Sequence, residues 1–584
     1  MAEGIQLKKG RFSAKLSEAL RAYYRPISED PVLLGARLNQ KNIQSNSIFY
    51  RVSKGPALLG WVVYDPETST IEELVPSPPY SLKKIVVQML DALIAAETQV
   101  SAHVLASDTE KYAELLAYGF RPVRSFNDKG LAFVGMELST SVLLHKLKNK
   151  KPARPYRKQE KVAIEKVPET QTPAEIKESL TRLLAKLGGI DTFVAKGQTV
   201  VIKPNIVSDH GLKDGVLKPG IVTDIRVVQA LVELLLPIAK QVIIAEGSSI
   251  NRSETAKMFA LYGYDRLVDL DPKKVKLVDL NTDKLIEKPV PAGKRMRSRK
   301  IPVTLDKADV IINLPVLKNH FAAIASLAIK NLQGAMPPLE KYMSHFFGLW
   351  QNLVNIHHLI KPQLTIIDGL CGQEDFGPVS GTPKTMNLLI AGANPVAVDA
   401  TAMRVMGLEP SASPPVFLAY MQGLGPIEKK QIKVLGPAIT QVRQVFKQPQ
   451  IDVRGGKDLR IHSGEACSGC RGYLHFVLAK LRKDDPEHPG QRVIDRSLAC
   501  KANIFLGPTM NRAINSAEVN LFMGLCQQQH AALGKHLAGC PPHAEVIVNA
   551  VYGLFPGLEK PKYADETEEA KLGKLLEEIL NVFL

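Results

Sequence analysis

Five of the six cysteines fall in the last quarter of the chain, between Cys467 and Cys540. Cys467-Ser468-Gly469-Cys470 is a Cys-x-x-Cys pair, a spacing that lets two thiolates reach one metal centre from a single turn. Two further thiolates must then arrive from distant loops, and Cys500, Cys526 and Cys540 are the candidates. Cys526 follows VNLFMG, which reads as a strand. Cys540 stands before Pro541-Pro542 and the helical run HAEVIVNAVYG, so it is expected near a helix N-terminus, where dipole and free amides stabilise a thiolate. In a reducing compartment, cysteines clustered in this way read as metal ligands or redox groups and not as disulfides. Four thiolates suit an iron–sulfur cluster or a structural zinc; zinc sites usually pair two short knuckles, and one is present here. His530, His536 and His543 are read as solvated side chains, with tuning of a bound metal as the alternative.

A second set of polar residues follows short apolar runs in the middle of the chain. TVVIK ends in Lys203 and leads to Asn205; QVIIAE ends in Glu246; DVIINL leads to Lys318 and His320; LTIID ends in Asp368. Lys330, Asn331, Lys341 and His345 come further on. Each apolar run is rich in Val, Ile and Leu, as strands buried on both faces are. With a helix from about Asp224 to Lys240 between the first two, the pattern predicts right-handed crossovers and a doubly wound, mostly parallel α/β sheet. Ligands bind beyond the C-terminal strand ends of such sheets. Lys203, Lys318 and Lys330 favour an anionic small molecule. Glu246 and Asp368 could hold a divalent cation or act as acid and base, and His320 and His345 are candidates for proton transfer. Taken singly, each of these is as well explained by a solvated loop lysine, an Asp-Gly turn or a structural histidine.

These stretches need scaffolding, and the chain is long enough for it. At 584 residues it should hold about three or four domains, and 45% hydrophobic with 23% charged residues suits packed cores. The expected division is 1–145, a basic linker at 146–170, a central domain at 171–435, a connector at 436–460, a cysteine module at 461–562 and an amphipathic C-terminal helix at 563–584. No run of ~18 apolar residues is present and the N-terminus does not read as a secretory signal, so the expected location is the cytoplasm with no membrane span. The net charge of +17 raises nucleic-acid binding. The excess collects in the linker, between Lys146 and Lys166, and in Lys294, Arg295, Arg297, Arg299 and Lys300. Both runs read as solvated segments, no aromatic-rich motif accompanies them, and nucleic acid is not expected as a partner.

Three resemblances follow from quoted motifs. KPNIV with Thr223-Asp224, AEGS, ADVIINLPVLKNH, Lys330-Asn331-Leu332-Gln333-Gly334, LTIIDG, Gly377-Pro378-Val379-Ser380-Gly381 and NPVAVDATAMRVMG resemble the family catalogued as domain of unknown function 362, over about 200–408. The resemblance implies an iron–sulfur association without a general reaction, and it adds Asp399 to Asn205, Lys330, Asn331 and His345 as positions for substrate binding. The first piece, an α+β domain, resembles GNAT-type acyltransferases, through Tyr112 to Phe120 before the last strand. Where that fold grips a pyrophosphate with a Gly-rich turn, this chain reads Pro76-Ser77-Pro78-Pro79-Tyr80-Ser81, with no glycine and two residues lacking N–H donors. The fold is expected there without acetyl-CoA chemistry; N-acyl transfer is the alternative function. The cysteine module, an α/β piece, is similar to the cluster-binding small subunits of nickel–iron hydrogenases in Cys467 to Cys470, Gly524 to Cys526 and Gly539 to Pro542. This resemblance implies one 4Fe–4S cluster on Cys467, Cys470, Cys526 and Cys540, with an electron-transfer partner. Cys500 has no counterpart in the pattern. The combined expectation is a redox-linked protein, an oxidoreductase if it is an enzyme, with N-acyl transfer or a zinc-stabilised binding protein as the alternatives.

Overall fold

The computed structural model describes residues 5–27, 47–97, 100–128, 130–213, 215–248, 255–290, 296, 298–510 and 512–560. They form two compact units. One gathers the chain up to Pro155 together with Val453–Pro556; the other gathers Tyr156–Lys288 with Ser298–Asp452. The C-terminal amphipathic helix and the basic residues Lys294, Arg295 and Arg297 lie outside the described residues.

The N-terminal sheet runs in the order β1 (Ile5–Gly10), β2 (Ile48–Lys54), β3 (Ala57–Asp65), β4 (Thr70–Pro76), β5 (Ser101–Leu105), β7 (Leu131–Leu138), β6 (Phe120–Asp128). β2 and β3 form a hairpin, with Lys54 opposite Ala57. β4 and β5 are parallel and pair only at Thr70–Ser101 and Ile71–Ala102. Helices α1 (Ala14–Tyr24), α2 (Leu82–Ala96), α3 (Thr109–Tyr118) and α4 (Thr140–Leu147) complete this part. α2 buries Ile85, Val86, Met89, Leu90, Leu93 and Ile94, the periodic face read from the sequence.

The segment read as a linker contributes β8 (Glu160–Lys166) to the central sheet. Its Val162, Ala163 and Ile164 are fully buried beneath a charged flank, so the local excess of lysine hid a core strand. The sheet order is β13 (Val275–Asp279), β12 (Gln241–Glu246), β9 (Thr199–Lys203), β16 (Val310–Asn313), β19 (Leu364–Glu374), β20 (Thr382–Gly392), β8, β21 (Ile432–Leu435). β13 through β19 are parallel, whereas β20 is antiparallel to both β19 and β8. β17 (Val316–His320) pairs with β18 (Ile324–Ser326) and with the far part of β19. The short pairs β10 (Leu212–Lys213) with β11 (Val216–Leu217), and β14 (Leu285–Pro289) with β15 (Ser298–Pro302), stand outside this sheet.

Helix α5 (Pro173–Lys186) starts on a capping box between Thr172 and Glu175 with proline at its first turn. α6 (Ile225–Leu235) is capped by Asp224, as the sequence suggests, but ends before Pro237 and not at Lys240; Pro237 has no N–H to continue the helical hydrogen bonds. Ile176, Leu180, Leu183, Val228, Leu231 and Leu235 of these helices share a core with Val200, Ile202, Val242 and Ile244 of the sheet. α7 (Ala328–Asn331), α8 (Pro338–Phe346), α9 (Leu349–Leu359) and α10 (Pro395–Val405) follow. Arg299, read from sequence as part of a solvated run, is fully buried and ion-paired to Glu340.

The cysteine module is a four-stranded, wholly parallel sheet in the order β22 (Leu459–His462), β23 (Ala502–Leu506), β24 (Val519–Met523), β25 (Lys535–Leu537). Helix α11 (Ser468–Leu481) connects the first two strands, and α12 (Ala544–Tyr552) follows the last. Among the described residues no helix is long and apolar enough to cross a membrane.

Candidate functional site

The four cysteines assemble at the C-terminal ends of the module's strands. Cys467 follows β22 and caps α11, Cys470 lies in the first turn of α11, Cys526 follows β24 and Cys540 follows β25. Parallel winding turns a linear spacing of more than seventy residues into one site. Cys470, Cys526 and Cys540 are buried and Cys467 is half-buried; none forms a disulfide. Gly524 holds φ at 83°, and a Cβ there would stand 3.2 Å from the Cys470 sulfur, which is why the strand reaches Cys526 through glycine. Cys500 is exposed, donates to the Ala517 carbonyl at 3.3 Å and stays apart from the other four. Cys540 does not start a helix: α12 is capped by His543, two prolines later. The helix N-terminus at this site belongs to Cys467 instead.

The thiols differ in acidity. The hydrogen bond from Cys470, with Ser141 and backbone amides, brings Cys467 down to about 6. The same contact with Cys467, reinforced by burial, pushes Cys470 well up. Burial and the neighbouring sulfurs push Cys540 up to about 12. Among the described residues, no three of these sulfurs lie within 4.8 Å of one another. His536 faces the Gly524 carbonyl at 3.2 Å, and burial lowers both His536 and His543. His530 packs on the Phe522 ring.

The central domain gathers most of the second set. Lys203 and Glu246, the last residues of β9 and β12, form an ion pair of 2.6 Å with side-chain exposures of 1% and 2%. The Lys203 ammonium also donates to the Pro204 carbonyl at 2.9 Å and to Asn331 at 3.4 Å. Glu246 accepts from the Ile206 and Gly247 amides. A Cβ on Gly334 would come within 2.7 Å of the Lys203 Nζ, so the glycine of the Lys330–Gly334 run is required by close approach. Asn331 donates to Asn313 at 2.7 Å, and Asn313 is the register partner of Lys203. Lys318 donates to Asn205 and to the Ile221 carbonyl. Lys341, given no role from sequence, inserts beside this group and donates to the Gly247 and Ser248 carbonyls and to Asn281.

Positive charge is in excess here: Lys203, Lys318 and Lys341 are buried around one carboxylate, Glu246. Burial, opposed in part by Glu246, holds Lys341 near 7; burial and the neighbouring Lys203 hold Lys330 near 8. Burial with Lys330 beside it lowers Lys318 strongly. No described residue accepts a hydrogen bond from the Lys330 ammonium. Lys318 and His320 occupy alternate positions of β17 and therefore share a face. His320 Nδ1 accepts from the Ala322 and Ala323 amides at 3.0 and 3.2 Å, so the ring is neutral with its proton on Nε2. As a proton carrier it is thus restricted to donation from Nε2. His345 on α8 lies within electrostatic reach of His320.

Asp368 and Asp399 stand apart from this lysine group. β19 does not end at Asp368; it continues to Glu374 because β17 and β20 extend the pairing. Asp368 accepts from the Asp224 amide at 2.7 Å and the Leu370 amide at 3.0 Å. Burial, with Asp224 nearby, raises it to about 7. It lines a small cleft with Pro219, Thr223, Asp224, Tyr262 and Cys371. Asp399 is buried on α10 and accepts from the Ala328 and Ile329 amides at 2.7 and 3.0 Å. It thereby caps the first turn of α7, which carries Lys330 and Asn331. Among the described residues, neither Glu246 nor Asp368 joins a trio of ligand atoms within 4.8 Å.

In the N-terminal sheet, the Ser77 and Tyr80 amides of the Pro76–Ser81 turn already donate to Leu59 and Ser77 carbonyls. With Pro78 and Pro79 lacking N–H groups, few donors remain for a pyrophosphate. Beside β4 a buried network joins Tyr24, Glu73, Asp108 and Lys111: Tyr24 donates to Glu73 at 2.6 Å, and Lys111 to Tyr24 at 2.6 Å.

Comparison with known proteins places this geometry. Residues 200–404 match the family model "Domain of unknown function (DUF362)". A thylakoid-associated protein of Synechocystis sp. is 28% identical over 258 residues, covering 42% of this chain and 75% of that protein. A spermidine N-acetyltransferase chimera from Vibrio cholerae is similar at 14% identity over 25% of this chain and 100% of its own, with a TM-score of 0.18. An acetyltransferase from Thermus thermophilus is similar at 16% identity over 22% of this chain and 95% of its own, with a TM-score of 0.18.

Proposed function

We propose that this protein binds a 4Fe–4S cluster through Cys467, Cys470, Cys526 and Cys540 and is a redox-linked protein that takes an anionic small molecule at the strand ends of its central domain. The observation that carries the reading is the convergence of four cysteines from three strand-end loops of one parallel sheet. One Cys-x-x-Cys pair with two distant cysteines favours a cluster over zinc, whose sites usually pair two short knuckles. The hydroxyls of Ser139, Thr140 and Ser141, and the N-terminus of α11, supply donors to thiolate charge.

Such a cluster, when bound, supplies one-electron transfer. The chain's own residues do the rest. Lys330, with no acceptor of its own among the described residues, is the group an anion would pair with, and Lys318 lies beside it on β17. The Lys203–Glu246 pair holds the ends of β9 and β12 in register, and Asp399 holds the turn that carries Lys330. His320 can donate from Nε2 only.

The test is metal analysis of the full chain purified without oxygen. About four irons and four sulfides per chain, with a broad visible band bleached by dithionite and lost in Cys467→Ser, is expected. Zinc alone, or full iron occupancy in Cys467→Ser, would overturn the ligand assignment.

A further inference from the structure

Three consecutive hydroxyl residues of the N-terminal part, Ser139, Thr140 and Ser141, meet the cysteine site across more than three hundred residues of sequence, within the same compact unit. The Cys540 thiol donates to Thr140 Oγ1 at 3.1 Å. The Cys467 amide donates to Ser141 Oγ at 3.3 Å. The Ser139 and Ser141 hydroxyls lie near enough to the Cys526 sulfur to favour its charged form. Ser139 is also the N-cap of α4 and accepts from the Val142 amide, so the first turn of that helix is aimed at the sulfurs. Arg121, at the start of β6, fastens the same face: its Nε donates to the Cys526 carbonyl at 3.0 Å and its terminal nitrogen to the Pro508 carbonyl at 3.5 Å. Ser139 serves the helix as its cap, whereas Thr140 and Ser141 turn their hydroxyls to Cys540 and Cys467.

Metal ligation requires thiolates. A thiolate has no proton to donate, so the Thr140 hydroxyl, free to rotate, must reverse its hydrogen bond and donate to the Cys540 sulfur. The Ser139 and Ser141 hydroxyls can do the same for Cys526. Donors to ligand sulfur stabilise the more negative, reduced state and raise the reduction potential.

We propose that Ser139, Thr140 and Ser141 are positioning residues of the redox centre: they donate to the ligand sulfurs of Cys526 and Cys540 and set the reduction potential of the cluster, which makes the N-terminal domain a structural half of that centre. This rests on the cluster reading above. It also gives the N-terminal domain a task that needs neither acetyl-CoA nor an acyl acceptor.

The experiment compares wild type, Thr140→Val, Thr140→Ser and Ser141→Ala as full chains purified without oxygen. Iron and sulfide are quantified, and the cluster is titrated with dithionite while its reduced form is followed by electron paramagnetic resonance. Removing one hydrogen bond should move the oxidised-to-reduced ratio at fixed potential by about threefold to tenfold toward oxidised; tenfold is about 59 mV for one electron. Thr140→Val and Ser141→Ala should hold wild-type iron and show this shift, and Thr140→Ser should restore the wild-type potential. An iron-loaded Thr140→Val protein with an unchanged potential overturns the inference while leaving the cluster reading intact. A wild-type protein without iron and sulfide overturns the cluster reading and this inference together. Should Thr140→Val lose iron, Thr140→Ser decides: a loaded cluster at the wild-type potential upholds the hydroxyl's role, and loss of iron there too overturns it.

Discussion

The buried Lys203–Glu246 pair offers a quantitative test of how the central site is held. In Lys203→Met the ammonium leaves and three contacts go with it: Glu246 at 2.6 Å, the Pro204 carbonyl at 2.9 Å and Asn331 at 3.4 Å. Glu246 remains in a place with 2% exposure, with two backbone amides as its donors. Removing one partner of a buried pair costs about 3–5 kcal/mol, because the other charge stays desolvated and unpaired. Replacing both partners by apolar groups of similar size is often close to neutral. Lys203→Met with Glu246→Leu should therefore be more stable than Lys203→Met alone. The assay is hydrogen–deuterium exchange of the full chain, read on peptides covering β9 and β12. At about 1.4 kcal/mol per tenfold, the single variant should lose two to four orders of magnitude of protection, and the double variant should recover most of it. Burial already raises the Glu246 carboxyl and depresses the Lys203 ammonium. Without Lys203, protonation of Glu246 becomes the cheaper state, so the single variant should regain protection as pH falls. Less than a fivefold loss in Lys203→Met, or a double variant whose cost equals the sum of the two singles, would refute the claim that the ion pair organises these strand ends.

Two further outcomes follow from the same geometry. Lys330 has its pKa depressed to about 8, so it is charged below that value and neutral above it. Binding of sulfate, whose charge is constant between pH 6 and 10, should weaken by about tenfold per unit above pH 8, measured by calorimetry on the full chain; without ligand, the depressed lysines add stability that is complete above about pH 10.5 and lost as pH falls through about 8. Sulfate affinity unchanged from pH 7 to 10 would remove Lys330 from the site. Cys500→Ser should leave iron content and the visible spectrum at wild-type values, since Cys500 is exposed and bonded to the Ala517 carbonyl; a loss of iron in that variant would return Cys500 to the ligand set.

Much of this protein was legible in one dimension. Runs such as TVVIK, QVIIAE and LTIID announced buried parallel strands because only such strands are apolar on both faces. Asp224 marked a helix start by local hydrogen bonding alone. Position after a strand, together with residue type, picked out Lys203, Glu246 and Lys318, and a motif resemblance picked out Cys467, Cys470, Cys526 and Cys540. What those residues do to one another was decided by tertiary structure. The pairing of Lys203 with Glu246, the insertion of Lys341 and the withdrawal of Asp399 into a cap all depend on which strands lie side by side, and local sequence carries no record of that order. β8 was hidden because lysines flank its three buried residues. The hydroxyls of Ser139 to Ser141 carry no signal of their own in the sequence. Their contact with Cys467, Cys526 and Cys540 exists because the chain leaves the N-terminal sheet, builds the whole central domain and returns. Local pattern reports what a segment can bury or cap within a few residues, whereas a site drawn from both ends of a chain is set by the packing that closes that distance.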